Sequence, residues 1–251
     1  MTTIILAGIV VFVTHALEAI TGFGCTVLAL PFITALFGMK PGIETLTILA
    51  WILALYIVIT KWKNIDWKNF VVIIVFVLAG LPIGMYLFKY VDPAPLKRIL
   101  AIFIIFASGS QLVAFWLSYR EAKLGSKLAL PRSLAKAANY VLLFLGGIVH
   151  GMFSSGGPLV VLYASKAIPD KGKFRATLCL VWATLNSIII GSYFVNATLT
   201  AEDMTRTLYM VPFLIFGIVA GEWAHKKVKA DSFKLIVFAL LLITGVIMCF
   251  Y

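Results

Sequence analysis

The sequence predicts an all-α integral membrane protein in which two halves form an inverted repeat. Of the 251 residues, 62% are hydrophobic, and the mean hydropathy of +1.05 is higher than that of soluble domains. The apolar runs are about 16–23 residues long and show no strand-like alternation, so they predict helical spans rather than a barrel. The third observation is that spaced motifs recur in both halves of the chain.

The charged residues indicate orientation in a membrane. The net charge of +11 would suggest nucleic acid in a soluble protein, but here Lys and Arg lie in short loops, as the positive-inside rule describes. We therefore expect a multi-pass protein of the cell (inner or plasma) membrane, in contact with the lipid bilayer and with no nucleic acid partner. Cys25, Cys179 and Cys249 show neither metal nor disulfide spacing, so no metal and no cofactor are expected.

Ten apolar segments follow one another, five in each half. The two short ones directly follow glycine-rich breaks, and neither has the roughly 20 residues that a full span needs. No basic, signal-like stretch precedes the first segment, so we expect it to remain in the mature protein. The predicted segments are about 4–20, 24–38, 43–60, 69–88 and 96–118, then 138–153, 157–168, 176–195, 206–224 and 234–250.

Motifs with matching spacing predict that the halves are related. Gly80-x-x-x-Gly84 recurs as Gly217-x-x-x-Gly221, and a lysine follows each motif at the same distance. Motifs that recur with the same spacing indicate an internal repeat. The repeat predicts a first membrane repeat at 1–119, a cytoplasmic linker at 120–136 and a second membrane repeat at 137–251. A further pair of residues has the same spacing in both halves: Glu44 precedes Trp51 by as many positions as Arg175 precedes Trp182.

Loop charges predict how each half crosses the membrane. The loops 120–136 and 166–175 are both strongly basic, whereas 197–205 carries two acidic residues and no basic one. A single kinked span between the two basic loops would place them on opposite sides, against the positive-inside rule. Residues 138–168 are therefore predicted to form a re-entrant helical hairpin followed by three spans. An odd number of crossings inverts the next half, as in many secondary transporters. The loop 89–98 is more basic than its predicted outer position favours.

The second break, Ser154-Ser155-Gly156-Gly157-Pro158, predicts an anion site. Glycine lets the backbone approach a ligand, and proline suits the first turn of a new helix. The free N–H groups of that turn, at the positive end of the helix dipole, favour an anion. The two serines add hydroxyl donors, and His150 adds a donor whose charge can change. In the alternative interpretation, the glycines only allow close packing of helices and the histidine has a structural role.

The first break, Thr21-Gly22-Phe23-Gly24, has a similar arrangement. His15 and Glu18 precede it and share one helix face. Ionisable groups at membrane depth are costly unless they are paired or functional, so Glu18 is predicted either to carry a proton or to pair with His15. Asn186, in the middle of a later span, either lines the path or bonds a neighbouring helix.

These residues resemble a known family. The string from Gly146 to Pro158, with the following Phe174-Arg175-Ala176-Thr177 and Trp182 to Asn186, is similar to the second-half motif of the TauE/SafE sulfite exporter family. The stretch from Thr21 to Pro31 is similar to its first-half motif, although it is leaner in glycine. The resemblance implies a secondary transporter that exports or takes up sulfur-containing anions.

We therefore predict a secondary transporter of a small sulfur-containing oxyanion (sulfite, sulfoacetate or another organosulfonate) that works by alternating access. An anion channel-like or structural membrane subunit is the alternative, and an intramembrane enzyme is a third class. No Gly-x-Ser-x-Gly or His-Glu-x-x-His motif occurs, so no catalytic residue is predicted. The sequence leaves open whether the protein forms a homo-oligomer. The predicted substrate-binding residues are Thr21, Gly22, Phe23, Gly24, His150, Ser154, Ser155, Gly156, Gly157, Pro158 and Asn186, with His15 and Glu18 as coupling or polar groups.

Overall fold

The computed structural model describes residues 2–124 and 132–225, together with Leu242 and Val246. Over the two continuous ranges the chain is helical and has no strand. A 3₁₀ turn at Trp62–Asn64 follows the third helix. The helices are α1 (Thr2–Thr21), α2 (Cys25–Phe37), α3 (Met39–Lys61), α4 (Trp67–Tyr90), α5 (Pro93–Leu124), α6 (Arg132–Phe153), α7 (Gly157–Ala167), α8 (Lys171–Val195) and α9 (Ala201–His225).

Five of these helices are long and apolar enough to cross a membrane: Thr2–Thr21, Met39–Asn64 with the 3₁₀ turn included, Trp67–Tyr90, Lys171–Val195 and Ala201–His225. This finding confirms the predicted all-α membrane class. Exposed apolar side chains such as Val75 on α4 and Phe216 on α9 are suited to contact with lipid. Apart from Leu242 and Val246, the predicted segment 234–250 with Cys249 lies outside the described residues, and so does the middle of the linker 120–136.

Both predicted breaks interrupt the helices. α2 has 13 residues and α7 has 11, so at about 1.5 Å per residue they are roughly 20 and 16 Å long, short of a bilayer core of about 30 Å. At the first break Gly22 and Gly24 have φ of 86° and 104°, which favours glycine. At the second break the left-handed residue is Ser154, with φ of 50°. Gly156 is helical there and lies against the Gly146 carbonyl, where a Cβ would collide.

The helix pair α6–α7 leaves one end of the molecule and returns to it. α6 runs parallel to α4, because Tyr140 stacks on Phe76 and Gly84 lies further along, against Ile148. α7 then comes back toward the start of α4, where Asn69 Nδ2 donates to the Ala167 carbonyl at 3.5 Å. We call this end of the molecule the basic face. Its lysines lie in 61–68 and 166–173.

The pair α1–α2 has the same arrangement at the opposite face. α1 runs parallel to α9, since Gly217 lies against Phe12 and Gly221 against Ala16. The end of α2 returns to the start of α9, where the Arg206 guanidinium lies 5.6 Å from the Phe37 ring centre. Glycine at these helix contacts permits backbone approach that a side chain would prevent. Each pair thus packs against a helix from the other half of the chain.

Helices α3 and α8 fill the centre of the molecule and run antiparallel. Trp51 Nε1 on α3 donates to Ser187 Oγ on α8 at 2.8 Å. At the basic face the Asp66 N–H donates to Thr177 Oγ1 at 2.8 Å. α3 and α8 are the most buried of the five long apolar helices. They therefore form the walls between which the two breaks meet.

Candidate functional site

The two breaks enclose a small central cavity. Its volume is about 20 Å³, enough for about one water molecule. A ligand of four heavy atoms or more does not fit this volume. The cavity is lined by residues of both breaks and of both central helices: Glu18, Gly24, Thr26, Val27, Ala50, His150, Ser154, Ser155, Gly157, Trp182 and Asn186.

His150 is fixed on three sides. The Gly156 N–H donates to its Nδ1 at 3.4 Å, which places the imidazole proton on Nε2. Nε2 then donates to Asn186 Oδ1 at 2.9 Å. The ring stacks on Trp182 with a centroid distance of 5.3 Å and an interplanar angle of 17°. The imidazole therefore presents a neutral, oriented ring to the cavity, and Asn186 keeps its Nδ2 amide as a donor.

Glu18 occupies the equivalent place at the first break. Its Oε2 accepts a hydrogen bond of 2.9 Å from the N–H of Cys25, the first residue of α2. The N-terminus that the sequence predicts as an anion site is thus capped by the chain's own carboxyl group. Glu18 and His150 each lie on the helix before a break, and each caps the helix after it. The correspondence between Glu18 and His150 could have been predicted from the sequence, because each residue precedes a glycine-rich break.

The predicted hydroxyl donors differ in what they contact. Ser155 Oγ is buried, and no residue that the structure describes forms a hydrogen bond with it; Ser155 also lines the cavity. Thr47 Oγ1 donates to the Ile43 carbonyl, so Ser154 Oγ, 2.5 Å from it, donates to Thr47. Thr21 Oγ1 donates to the carbonyls of Leu17 and Phe23 and does not line the cavity. Of the three, Ser155 alone has a free hydroxyl for a ligand.

Of the two alternatives for Glu18, the pairing with His15 is not observed. His15 Nδ1 lies 2.9 Å from the Val11 carbonyl of its own helix, and its buried Nε2 has no partner among the described residues. Glu18 instead reaches across the break to Cys25, because the unpaired N–H at a helix start is a stronger attraction for a carboxyl group than a neutral ring. His15 also lies outside the lining of the central cavity.

Four other predicted residues do not line the cavity: Gly22, Phe23, Gly156 and Pro158. The Gly22 carbonyl accepts a hydrogen bond of 3.0 Å from Trp182 Nε1. Phe23 packs edge-on against Phe174 at 6.3 Å, and Pro158 is buried in the first turn of α7. Trp182 and Thr47 were not among the predicted site residues. A tryptophan in the middle of a span, four positions before Asn186, was the sequence signal for the first of them.

Two larger cavities lie on either side of the central one. The cavity toward the opposite face has a volume of about 510 Å³ and is lined by Lys40, Glu44 and Tyr193 among others. The cavity at the basic face has a volume of about 170 Å³. It contains an ion pair between Arg175 Nη2 and Glu222 Oε1. Of these two cavities, the one on the face away from the basic loops is the larger.

Comparison with known proteins gives one family and one curated relative. The family model described as "Sulfite exporter TauE/SafE" matches residues 6–248. The chain is 22% identical over 186 residues to the "Probable inner membrane transporter protein TsaS" of Comamonas testosteroni, covering 74% of this chain and 73% of that protein. No solved structure matches the chain. Both matches point to a membrane transporter rather than an enzyme.

Proposed function

Because the chain belongs to the TauE/SafE sulfite exporter family, we propose that this multi-pass transporter of the plasma membrane carries a small sulfur-containing oxyanion through the central cavity. Sulfite and organosulfonates such as sulfoacetate are the substrate class. Transport proceeds by alternating access. The observation that carries the proposal is the free, buried hydroxyl of Ser155 in a cavity formed by two helix breaks.

The chemistry of the cavity suits an oxyanion that is held by hydrogen bonds alone. Ser155 Oγ and Asn186 Nδ2 are donors, and the first N–H groups of α7 lie at the positive end of a helix dipole. No lysine or arginine is among the lining residues. An anion bound without a fixed positive charge is released more easily, which suits a carrier.

Glu18 makes the proposed transport dependent on protons. A carboxylate and a bound anion about 5 Å apart repel each other by about 3 kcal/mol at an effective dielectric constant of about 20. Substrate binding is therefore favourable when Glu18 is protonated, and a proton then accompanies the anion. The protonated side chain no longer attracts the Cys25 N–H as strongly, which frees the start of α2 for the substrate.

The inverted repeat is part of this proposal. It is supported by two helix pairs that enter from opposite faces and by matching glycine contacts. Gly217 meets Phe12 as Gly80 meets Phe144, and Gly221 meets Ala16 as Gly84 meets Ile148. Residues 1–119 and 137–251 are the two repeats, joined by the linker 120–136. The loop charges assign the basic face to the cytoplasm.

Alternating access is supported by the unequal cavities. The 510 Å³ cavity reaches inward to Gly151 and Tyr193, while the ion pair of Arg175 with Glu222 narrows the basic face. The central cavity is too small for the substrate in this state. These features support a carrier with a larger cavity on the outer side and a narrow centre over a continuous channel.

Uptake of radiolabelled sulfite and sulfoacetate into proteoliposomes tests the function. We expect Ser155→Ala to reduce flux about tenfold or more, because one hydrogen bond to a charged group contributes about 1.5–3 kcal/mol. Thr184→Val is the matched control, since its hydroxyl donates to the Leu180 carbonyl of the same helix. Full flux in both Ser155→Ala and His150→Ala would contradict the proposed site. Voltage-driven current without coupling would indicate a channel.

A further inference from the structure

The cavity at the basic face has the composition of a second anion site. Lys61, Arg175 and His225 line it, and Glu222 is the acidic group among its lining residues. The volume of about 170 Å³ equals about five or six water molecules at ~30 Å³ each, so a small oxyanion fits. With a neutral histidine the two cations exceed the one carboxylate, which favours an additional negative charge.

Arg175 lines this cavity and has an unused donor. The residue is 3% exposed, and its Nη2 pairs with Glu222, while its buried Nε has no hydrogen-bond partner in the part of the chain that the structure describes. A guanidinium recognises oxyanions best through two parallel N–H groups, so the contact with Glu222 leaves part of this capacity unfilled. A buried donor without a partner is unfavourable by about 1–3 kcal/mol. A trigonal or tetrahedral oxyanion has enough oxygens to fill Nε as well as Nη2.

The position of this cavity connects it to the central one. The Arg175 backbone lies directly against Gly22, where a Cβ would be 2.8 Å from the Arg175 Cα. His225 Nδ1 donates to the Ile20 carbonyl at the end of α1, at 2.8 Å. Phe23 packs on Phe174, the neighbour of Arg175, and its ring also lies near Gly157 of the central cavity. The two cavities are therefore separated by the first break and its phenylalanine.

We infer that the cavity formed by Lys61, Arg175, Glu222 and His225 is an inner anion site, at which the transported oxyanion binds on the cytoplasmic side of the first break. The Glu222 carboxylate occupies this site when no substrate is bound. Its side chain is 23% exposed, so it can turn toward water when an oxyanion takes its place on Arg175. This inference rests on the proposed function and adds a second binding step to the same path.

The experiment measures sulfite transport from each side of the membrane. The full-length protein is reconstituted in one orientation in phosphatidylcholine vesicles, and the half-saturating sulfite concentration is measured at each face. Glu222→Gln removes the competing charge with little change of shape. We expect it to lower the half-saturating concentration at the basic face several-fold to about tenfold, and to leave the value at the opposite face unchanged.

A second variant keeps the test valid if Glu222→Gln folds poorly. Lys61 lies at the exposed rim of the cavity, so Lys61→Gln is expected to fold normally and to raise the half-saturating concentration at the basic face several-fold. Lys63→Gln is the matched control, because Lys63 is two positions away with the same charge and does not line the cavity. It is expected to behave like the wild type.

The outcomes separate the two proposals. If the wild type neither binds nor transports sulfite or sulfoacetate, the proposed function fails. If the wild type transports them and both Glu222→Gln and Lys61→Gln behave like the wild type at the basic face, the inner anion site is overturned while the function stands. The measurements are repeated with phosphatidylglycerol present. An effect that appears only with this anionic lipid assigns the cavity to a lipid headgroup and overturns the inference.

Discussion

Replacing Glu18 by glutamine tests proton coupling directly. The amide has nearly the same shape as the carboxyl group but cannot carry a negative charge. In the wild type the ionised Glu18 repels a bound anion by about 3 kcal/mol at ~5 Å, which equals roughly a hundredfold loss of affinity. We therefore expect wild-type binding to strengthen as pH falls and protons neutralise Glu18. In Glu18→Gln, affinity at pH 8 should rise toward the wild-type value at low pH.

The assay is sulfoacetate binding and uptake between pH 6 and 8, where the charge of this ligand is constant. Uptake by the wild type should increase with a pH gradient that is acidic on the side of the substrate. Glu18→Gln should retain exchange of labelled for unlabelled substrate and lose the response to the gradient. Besides Glu18, His150 is the titratable group that lines the central cavity. The variant His150→Asn is therefore measured in parallel. An unchanged pH response in Glu18→Gln would refute the coupling role.

The other predictions concern stability. Gly84→Ala should lower the melting temperature of the detergent-solubilised protein, because a Cβ there meets the Ile148 backbone and overpacking is unfavourable by about 1–3 kcal/mol. Gly191→Ala is the control, since open space surrounds that glycine, and an unchanged or higher melting temperature is expected. Asp66→Ala should destabilise the protein by about 0.5–2 kcal/mol, because the Asp66 side chain caps α4. Hydrogen bonds from Asn69 hold the pKa of Asp66 below its ordinary value, so this stabilisation is present at neutral pH and is lost as pH falls through the lowered pKa. Equal acid sensitivity of Asp66→Ala and wild type would contradict that assignment.

Hydropathy and the glycine-rich breaks were enough to predict most of the helix pattern. The interruptions at Gly22–Gly24 and at Ser154–Gly156 are confirmed, and so are the short helices that follow them. These features follow from local rules: long apolar runs form helices, and the glycine-rich stretches interrupt them. At the second break the left-handed conformation belongs to Ser154 and not to a glycine, which the sequence did not indicate.

Side-chain partners were less predictable, because they depend on contacts far apart in the sequence. The hydroxyl of Thr21 bonds its own backbone, and Glu18 turns to Cys25 instead of His15. Sequence spacing shows which residues share a helix face, but not which rotamer is selected by an unpaired N–H across a break. The ion pair of Arg175 and Glu222 joins α8 to α9. The two residues are 47 positions apart in the sequence, so no local pattern predicts their contact.

The crossed contacts of the outer helices limit how this molecule can rearrange. α1 is held by α9 and α6 by α4, through close glycine contacts, although the members of each couple come from different halves of the chain. A motion that pulled the first 119 residues away from the rest would have to separate both couples at once. Under the proposed mechanism, a rigid block would therefore combine one helix that precedes a break with one long helix from the other half of the chain. Severed halves of the gene product should accordingly be stable only when they are produced together.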